Sequence, residues 1–543
     1  MSEPRNVPTI IGRVCKLRDR FPSSTKEPVS MYRLFSRVLL AALVTLSASC
    51  ATVDFDAEKP VSQALTDTGD TYIGKYLAEY TGHPPNESGF HVITDSLDAL
   101  AIRLVLAERA ERSIDAQYYM ISDDMIGNVF FASLLRAADR GVRVRLLIDD
   151  INTGGMELKL AGMDAHPNIE LRLFNPFANR GFRALDAWDF QRINRRMHNK
   201  SFTIDNQITI IGGRNIAAEY FAANLDYNFG DLDTVAVGPV VGETSQMFDS
   251  YWNHRNAIPY RHLAAPEADS GEQLAVLQEQ LLDNREALSG TPYAAAVYES
   301  LDDYRMDYSH EFYWAPYQLI YDSPDKSIGS EEAELAPSIV TPLLQAARSA
   351  QESLLIISPY FVPRSRGIKA LGELQDGGVQ IDIVTNSLAS SDHLLVYGGY
   401  AGCRKPLLGH GVRFFEARHD EPYPGASEVG AQEYGSSLHT KAFVVDRRYF
   451  FMGSFNWDPR SAEINTELGI LIDSTDIASW VADRVYAATP TRSYEVFLSE
   501  NGSLRWRTFE DGKEVIFETE PNTSFFTRLK GNLSRALPIR GQL

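Results

Sequence analysis

The sequence is poor in cysteine, in long apolar runs and in positive charge, and each shortage excludes a class. Three cysteines in 543 residues cannot staple a disulfide-built fold. Once Cys15 and Cys50 are set aside for the reasons below, Cys403 is left with no intramolecular partner. The apolar run Val38 to Leu46 falls short of the roughly 20 residues a membrane-spanning helix needs, and no other segment approaches a span. Basic residues number 52 against 72 acidic, for a formal charge of −20 and a pI near 5.1. That sign argues against a duplex-binding surface, hence against a nuclease and a nucleic-acid partner. Lipid phosphates stay open, because an anionic headgroup needs only a local positive site. The chain, 44% hydrophobic and 23% charged, is globular and long enough for two or more domains.

The amino end carries a processing signal. Arg33 and Arg37 precede the apolar stretch, which is followed by Ser47, Ala48, Ser49 and then Cys50, the layout of a secretory signal peptide. The small residues before Cys50 resemble a bacterial lipobox, which would make Cys50 the lipid-attachment site; plain secretory cleavage is the competing reading. Residues 1–30 are polar and lie upstream of a complete signal with its own Met31, so the natural start is expected at Met31. Cys15 would then be absent, and the remaining chain more acidic still.

The reactive signature occurs twice. Residues 198–205 read His-Asn-Lys-Ser-Phe-Thr-Ile-Asp and 439–446 read His-Thr-Lys-Ala-Phe-Val-Val-Asp. Each is followed by a Gly-rich turn, Gly212-Gly213-Arg214-Asn215 or Gly453-Ser454-Phe455-Asn456, with 17 positions from His to Asn in both copies. In an extended strand His198 projects with Lys200, and His439 with Lys441, while Asp205 and Asp446, at an odd offset of seven, point away and fix the turn that follows. The apolar residues around them read as buried hairpin strands.

Imidazole serves as nucleophile, base or acid near neutral pH, so two histidines cover both halves of a double displacement. One attacks phosphorus while the other protonates the leaving alcohol and then activates the incoming one. Lys200, Lys441, Asn215 and Asn456 would hold the phosphoryl oxygens, so no metal or other cofactor is expected. Ser454 and Arg214 have two readings, phosphate contact and turn geometry. Arg192, Arg195 and Arg196 are either a solvated helix end or an anion-attracting rim.

The order of elements also repeats. A helical pattern at 97–112, a strand from Ile114, a helix through 131–140 and a strand after Gly141 are matched by 339–349, Leu354, 368–375 and Gly378. This predicts layered α/β halves with largely parallel sheets. Between them lie a polar helical stretch at 272–286 and the aromatic patch Phe312 to Tyr317, read as interface packing in preference to an acyl-chain groove. The basic amphipathic segment from Ser524 reads as a docked terminal helix, with contact to a membrane surface as the alternative.

The paired His-x-Lys-x4-Asp motifs resemble the phospholipase D superfamily. That resemblance implies an α/β fold of two pseudo-symmetric phospholipase D-like halves packed around one shared active site, with Asp233 and Glu467 orienting the histidines and His198 as nucleophile. The stretches Leu134 to Asp150, His166 to Phe177, Arg195 to Ser201, Ser358 to Pro363 and Asn456 to Ser461 are similar to the bacterial cardiolipin synthase C group. The similarity implies phosphatidyl transfer between phosphatidylethanolamine and phosphatidylglycerol and an accessory protein partner in some members. The amino end departs from other cardiolipin synthases, a lipobox standing in place of their membrane helices, so a periplasm-facing, lipid-anchored location is expected through Cys50. Hydrolysis by a phospholipase and cleavage of another phosphodiester are the competing outcomes. The expected division is an upstream extension 1–30, a signal 31–49, a first half 50–257, a connector 258–335 and a second half with tail 336–543.

Overall fold

Short buried strands alternating with capped helices generate the architecture. The computed structural model describes residues 53–79, 82–224, 226–263, 270–306, 312–329, 337–420 and 435–535; the upstream extension, the signal-like segment and Cys50 lie outside these. In the first half the strands are β1 (Glu87–Ile93), β2 (Ser113–Tyr118), β3 (Arg143–Asp149), β4 (Ile169–Phe174), β5 (Ser201–Ile204), β6 (Ile208–Gly212), β7 (Tyr227–Gly230), β8 (Asp233–Val237) and β9 (Ala257–Pro259). They continue as β10 (Tyr313–Tyr321), β11 (Ser353–Ile357), β12 (Gln380–Asn386), β13 (Arg413–Ala417), β14 (Gly435–Leu438), β15 (Ala442–Val445), β16 (Tyr449–Gly453), β17 (Leu468–Asp473), β18 (Ser493–Leu498), β19 (Leu504–Glu510) and β20 (Lys513–Phe517).

β2 is buried along its whole length, as a strand covered on both faces must be. The Met125–Asp139 helix carries the chain from β2 to β3. It starts where Asp124 accepts the Ile126 and Gly127 amides at 2.9 Å, and it stops at Gly141, whose φ of +94° suits glycine alone. The Arg364–Asp376 helix makes the matching crossover and stops at Gly378, φ +102°.

The sheets are less parallel than the element order predicts. Within each half, the parallel pairs among the described residues are confined to β2–β3–β4 and β11–β12–β13. The flanking runs β1–β8–β6–β5–β2 and β10–β17–β16–β15–β11 are antiparallel throughout. The reason is local: the motif hairpins close through two-residue turns, which join only antiparallel strands. Asp205-Asn206 and Asp446-Arg447 occupy those turns with φ near +50°.

β10 joins the halves. Tyr313 to Pro316 pair with β1, and Tyr317 to Tyr321 pair with β17. The aromatic patch is therefore a structural strand: Trp314 stacks on His83 at 3.8 Å and Tyr317 meets Phe90 edge-on. Beneath it, Leu147, Ile211 and Phe248 of the first half share one apolar cluster with Leu355, Val444 and Ile470 of the second. At about 2 kcal/mol for each large apolar side chain fully buried, this shared core holds the two halves in a fixed relation. Ser201 pairs with Gln117 near the end of β2, and Ala442 pairs with Ile357 at the end of β11, so both histidine motifs lie at the carboxyl edge of the parallel strands.

Candidate active site

Two parallel contacts between the halves build the site. β7 and β14 run side by side, with Gly230 opposite Leu438 as the last pair, so Asp231 and His439 follow as neighbours. Met197 bridges Thr466 in parallel, so His198 and Glu467 follow in the same way. The His439 amide donates to the Gly230 carbonyl at 2.8 Å, and the His198 amide donates to the Thr466 carbonyl at 2.9 Å. A carboxylate can only accept. His198 Nδ1–H therefore donates to Glu467 Oε2 at 2.8 Å and His439 Nδ1–H to Asp231 Oδ2 at 2.6 Å. Each histidine is oriented by an acid from the other half, and in each the tautomer leaves a lone pair on Nε2.

Asp233, the acid expected beside a histidine, is elsewhere. It lies buried between Arg103 Nη2 at 2.9 Å and Arg214 Nη1 at 3.2 Å. The pairing register exposes the correct match: Gly212 opposes Asp233 and Gly453 opposes Gly469, so Asp231, two residues earlier, is the counterpart of Glu467. Both acids are followed by leucine, a signal present in the sequence. The glycines are required by close approach, since a Cβ at Gly212 would sit 1.9 Å from Asp233 Oδ1 and one at Gly213 would sit 2.3 Å from Asp231 Oδ1.

Asp205 and Asp446, grouped with the catalytic set by the motif, sit at the far end of their hairpins. Asp205 accepts the amides of Glu111, Arg112 and Ser113, and Asp446 those of Gln351, Glu352 and Ser353. They tie each hairpin to the start of the neighbouring strand and touch neither histidine. Arg214 is likewise structural: it is buried and donates to the Asp231 and Thr94 carbonyls. Ser454 donates to Glu467 and accepts from the Leu468 amide at 3.0 Å. The Arg192, Arg195 and Arg196 side chains form no open rim: Arg196 pairs with Asp149, Arg192 with Asp189, and Arg195 donates to the Lys326 carbonyl.

Two positioning residues lie outside the paired motifs. Asp149, the last residue of β3, accepts the Met197 amide at 2.8 Å, and Asn386, the last of β12, exchanges two 2.9 Å bonds with Leu438. Each grips the residue just before a histidine. The signal was their matched place at the end of corresponding apolar strands. Tyr119 meets His198 edge-on at 5.0 Å, and Tyr220 and Phe229 flank His439 at 5.0 and 4.9 Å.

These aromatics bury the charges. Burial lowers His198 to about 4, with Lys200 and Lys441 adding to the effect against the pull of Glu467. Burial, then Lys441 and Lys200, hold His439 well below the usual imidazole range. Lys200 is pushed well down by burial, and Lys441 to about 8 for the same reason. Burial works to raise Glu467, but His198, Lys200 and Ser454 together outweigh it and hold the carboxyl low, whereas burial leaves Asp231 raised. Lys441 Nζ lies over the edge of the His439 ring, 2.9 Å from Nδ1 and 3.1 Å from Nε2, and the Tyr220 hydroxyl is 3.4 Å from Nε2. His198 Nε2 has no such donor among the described residues. Asn215 Nδ2 donates to Tyr220 at 2.9 Å, and the Oδ1 atoms of Asn215 and Asn456 are buried without a partner among the described residues. Nor, among those residues, are three or more His, Cys, Asp or Glu side chains grouped to hold a metal ion.

The family model described as "Cardiolipin synthase, PLD-like domain" matches residues 104–252 and 343–486, one span for each half. Cardiolipin synthase C of Escherichia coli is 38% identical over 466 residues, covering 84% of this chain and 96% of that one. A cardiolipin synthase of Staphylococcus aureus is 26% identical over 375 residues, 67% of this chain and 60% of that one. A solved phosphatidylserine synthase of Haemophilus influenzae shares the fold at 12% identity with a TM-score of 0.53, covering 82% of this chain and 92% of that one. The chain belongs to the cardiolipin synthase family with phospholipase D-like domains.

Proposed function

We propose that the protein is a phosphatidyltransferase that makes cardiolipin from phosphatidylglycerol and phosphatidylethanolamine through a phosphohistidine intermediate. The observation that carries this is the crossed pairing of His198 with Glu467 and His439 with Asp231, which gives one site two imidazoles with fixed tautomers. Kinship with cardiolipin synthases supplies the choice of lipid.

His198 is the nucleophile: its Nε2 lone pair meets no donor among the described residues, and its low pKa keeps it neutral. Nε2 attacks phosphorus, the bond from phosphorus to the headgroup oxygen breaks, and His439 passes a proton to that oxygen. His439 then takes the proton from the glycerol hydroxyl of phosphatidylglycerol, whose oxygen attacks phosphorus and releases His198. A bound phosphodiester brings its negative charge beside Lys200 and Lys441, adding to Glu467 and Asp231. Its charge raises the pKa of both lysines and of His439, so the acid becomes protonated when substrate arrives. Asn215 and Asn456 supply amide groups to the phosphoryl oxygens. Aromatic burial favours a lipid hydroxyl over water in the second step.

Location belongs to the same reading. No described helix is long and apolar enough to cross a membrane, and attachment falls to Cys50 on the periplasmic side of the envelope. An accessory protein, as the similarity to the cardiolipin synthase C group implies, would act on this same site.

The test is incubation of purified protein with headgroup-labelled phosphatidylethanolamine and unlabelled phosphatidylglycerol. Ethanolamine matched by cardiolipin is expected. Ethanolamine matched by phosphatidic acid would make it a phospholipase, and cleavage of a nucleic acid with both lipids untouched would make it a nuclease.

A further inference from the structure

The helix Phe525–Ser534 is docked with its apolar side outward. Its inward contacts are made by small residues: Gly531 lies against Leu388 and Tyr397, and Ser534 against Gly398. Phe525, Phe526, Leu529 and Leu533 recur at helical spacing on the other side and are 66%, 72%, 43% and 61% exposed. An ordinary docked helix buries such a stripe. Residues 524–535 also hold Arg528, Lys530 and Arg535 with no acidic residue, in a chain of charge −20. Neither Arg528 nor Lys530 has a carboxylate partner among the described residues; Arg528 donates to the Thr523 carbonyl instead.

The place of the helix matters as much as its composition. It packs on the helix Leu394–Ala401, which begins just after Asp392. Asp392 accepts the Tyr360 hydroxyl at 2.6 Å and acts electrostatically on His439. The apolar stripe is thus carried by the rim of the active site. In the first half, the segment leading into Met197 and His198 shows exposed Phe182, Trp188 and Phe190, at 64%, 67% and 53%.

We infer that the Phe525–Ser534 helix is a membrane-contact element that lies at the headgroup level of an anionic bilayer, with Phe525, Phe526, Leu529 and Leu533 in the acyl boundary and Arg528 and Lys530 on the lipid phosphates. Apolar residues on one side and cations beside them, Arg528 and Lys530 having no carboxylate partner among the described residues, are the composition that binds anionic interfaces. The inference deepens the lipid reading above and rests on it for the identity of the surface. Contact there would hold the site mouth against the layer in which both lipid substrates lie, so neither need leave the bilayer.

The test uses the full chain with Cys15→Ser and Cys50→Ser, so that neither an acyl anchor nor a second label contributes, and an environment-sensitive dye on Leu533→Cys; Cys403 is buried and stays unlabelled. Phosphatidylcholine vesicles containing phosphatidylserine should shift the dye emission to the blue, and pure phosphatidylcholine vesicles much less so. Phe525→Ser with Phe526→Ser should weaken partitioning by about tenfold or more, with unchanged thermal unfolding and unchanged turnover of detergent-dispersed short-chain lipids. No blue shift on anionic vesicles would overturn the inference. A shift that follows protein concentration without vesicles would overturn it too, by assigning the stripe to a second copy of the chain. A vesicle-dependent shift in a protein that makes no cardiolipin would leave the membrane contact standing and remove the proposed reaction.

Discussion

His439 and Asp231 meet at 2.6 Å although 208 residues separate them, because β7 and β14 end together in a parallel ladder. The same relation, repeated by His198 and Glu467 across the Met197–Thr466 bridge, means that neither half holds a complete histidine–acid pair.

Removing an orienting acid should therefore damage catalysis more than folding. Glu467→Gln and Asp231→Asn are each expected to lower kcat by about 10²–10⁴, as loss of the tautomer-fixing acid does in a catalytic triad. Asp233→Asn should act the other way. It leaves Arg103 and Arg214 without their buried charge partner, at about 3–5 kcal/mol, and should lower the unfolding temperature. Steady-state kinetics and thermal melts of the three variants separate the two roles; an Asp233→Asn protein of normal stability and no turnover would restore Asp233 to the site.

The two histidines should fail differently with an activated donor. With a p-nitrophenyl phosphatidyl ester the leaving group needs no acid, so His439→Ala should release about one equivalent of nitrophenol per protein and then stall. His198→Ala should release none. Stopped-flow absorbance reads both, and a burst from the His198 variant would reverse the assignment.

The lowered pKa values fix the sign of the pH dependence. His198 falls from 6.5 to about 4, so between those values the unfolded chain binds a proton that the folded chain refuses, and stability drops as pH falls through that window. Lys441, lowered from 10.5 to about 8, gives a second window in which stability rises as pH climbs from about 8 to 10.5. His198→Gln should flatten the acid window in a series of melts. Binding of inorganic phosphate near pH 7 should take up protons, seen as a heat that depends on the ionisation enthalpy of the buffer.

Tyr220 bridges Asn215 and His439 Nε2. Tyr220→Phe keeps the ring packed on His439 but frees the Asn215 amide, and kcat is expected to fall about tenfold, in line with one hydrogen bond of about 1.4 kcal/mol. An unchanged kcat would confine Tyr220 to packing.

Cys50→Ser should release the protein from membrane fractions or stop its maturation, because two acyl chains give stable attachment where one does not. Intact mass of the membrane-extracted protein checks this directly; an unmodified Cys50, or a start before Met31, would remove the anchor.

The repeated His-x-Lys motif, the matched 17-residue spacing to Asn215 and Asn456, and the paired helix–strand order are local patterns, so the sequence alone determined the two-fold α/β plan and the reactive residues. Periodicity also placed Asp205 and Asp446 away from the histidines, since a strand alternates faces whatever packs on it. The acid beside His439 was decided by tertiary structure. Asp231 and Asp233 differ by two positions, an offset that strand periodicity does not separate, and only pairing with β6 and with the other half tells them apart. Asp149 and Asn386 escaped notice for the same reason: their role is to hold a backbone amide brought near by sheet order. Antiparallel pairing outside the motif hairpins was likewise settled by tertiary structure, since β1 with β8 and β10 with β17 meet across long stretches of sequence. The outward stripe of the Phe525–Ser534 helix is visible as a pattern in the chain, but which side faces Gly398 depends on small residues meeting small residues, a fit that exists only after the second half has folded.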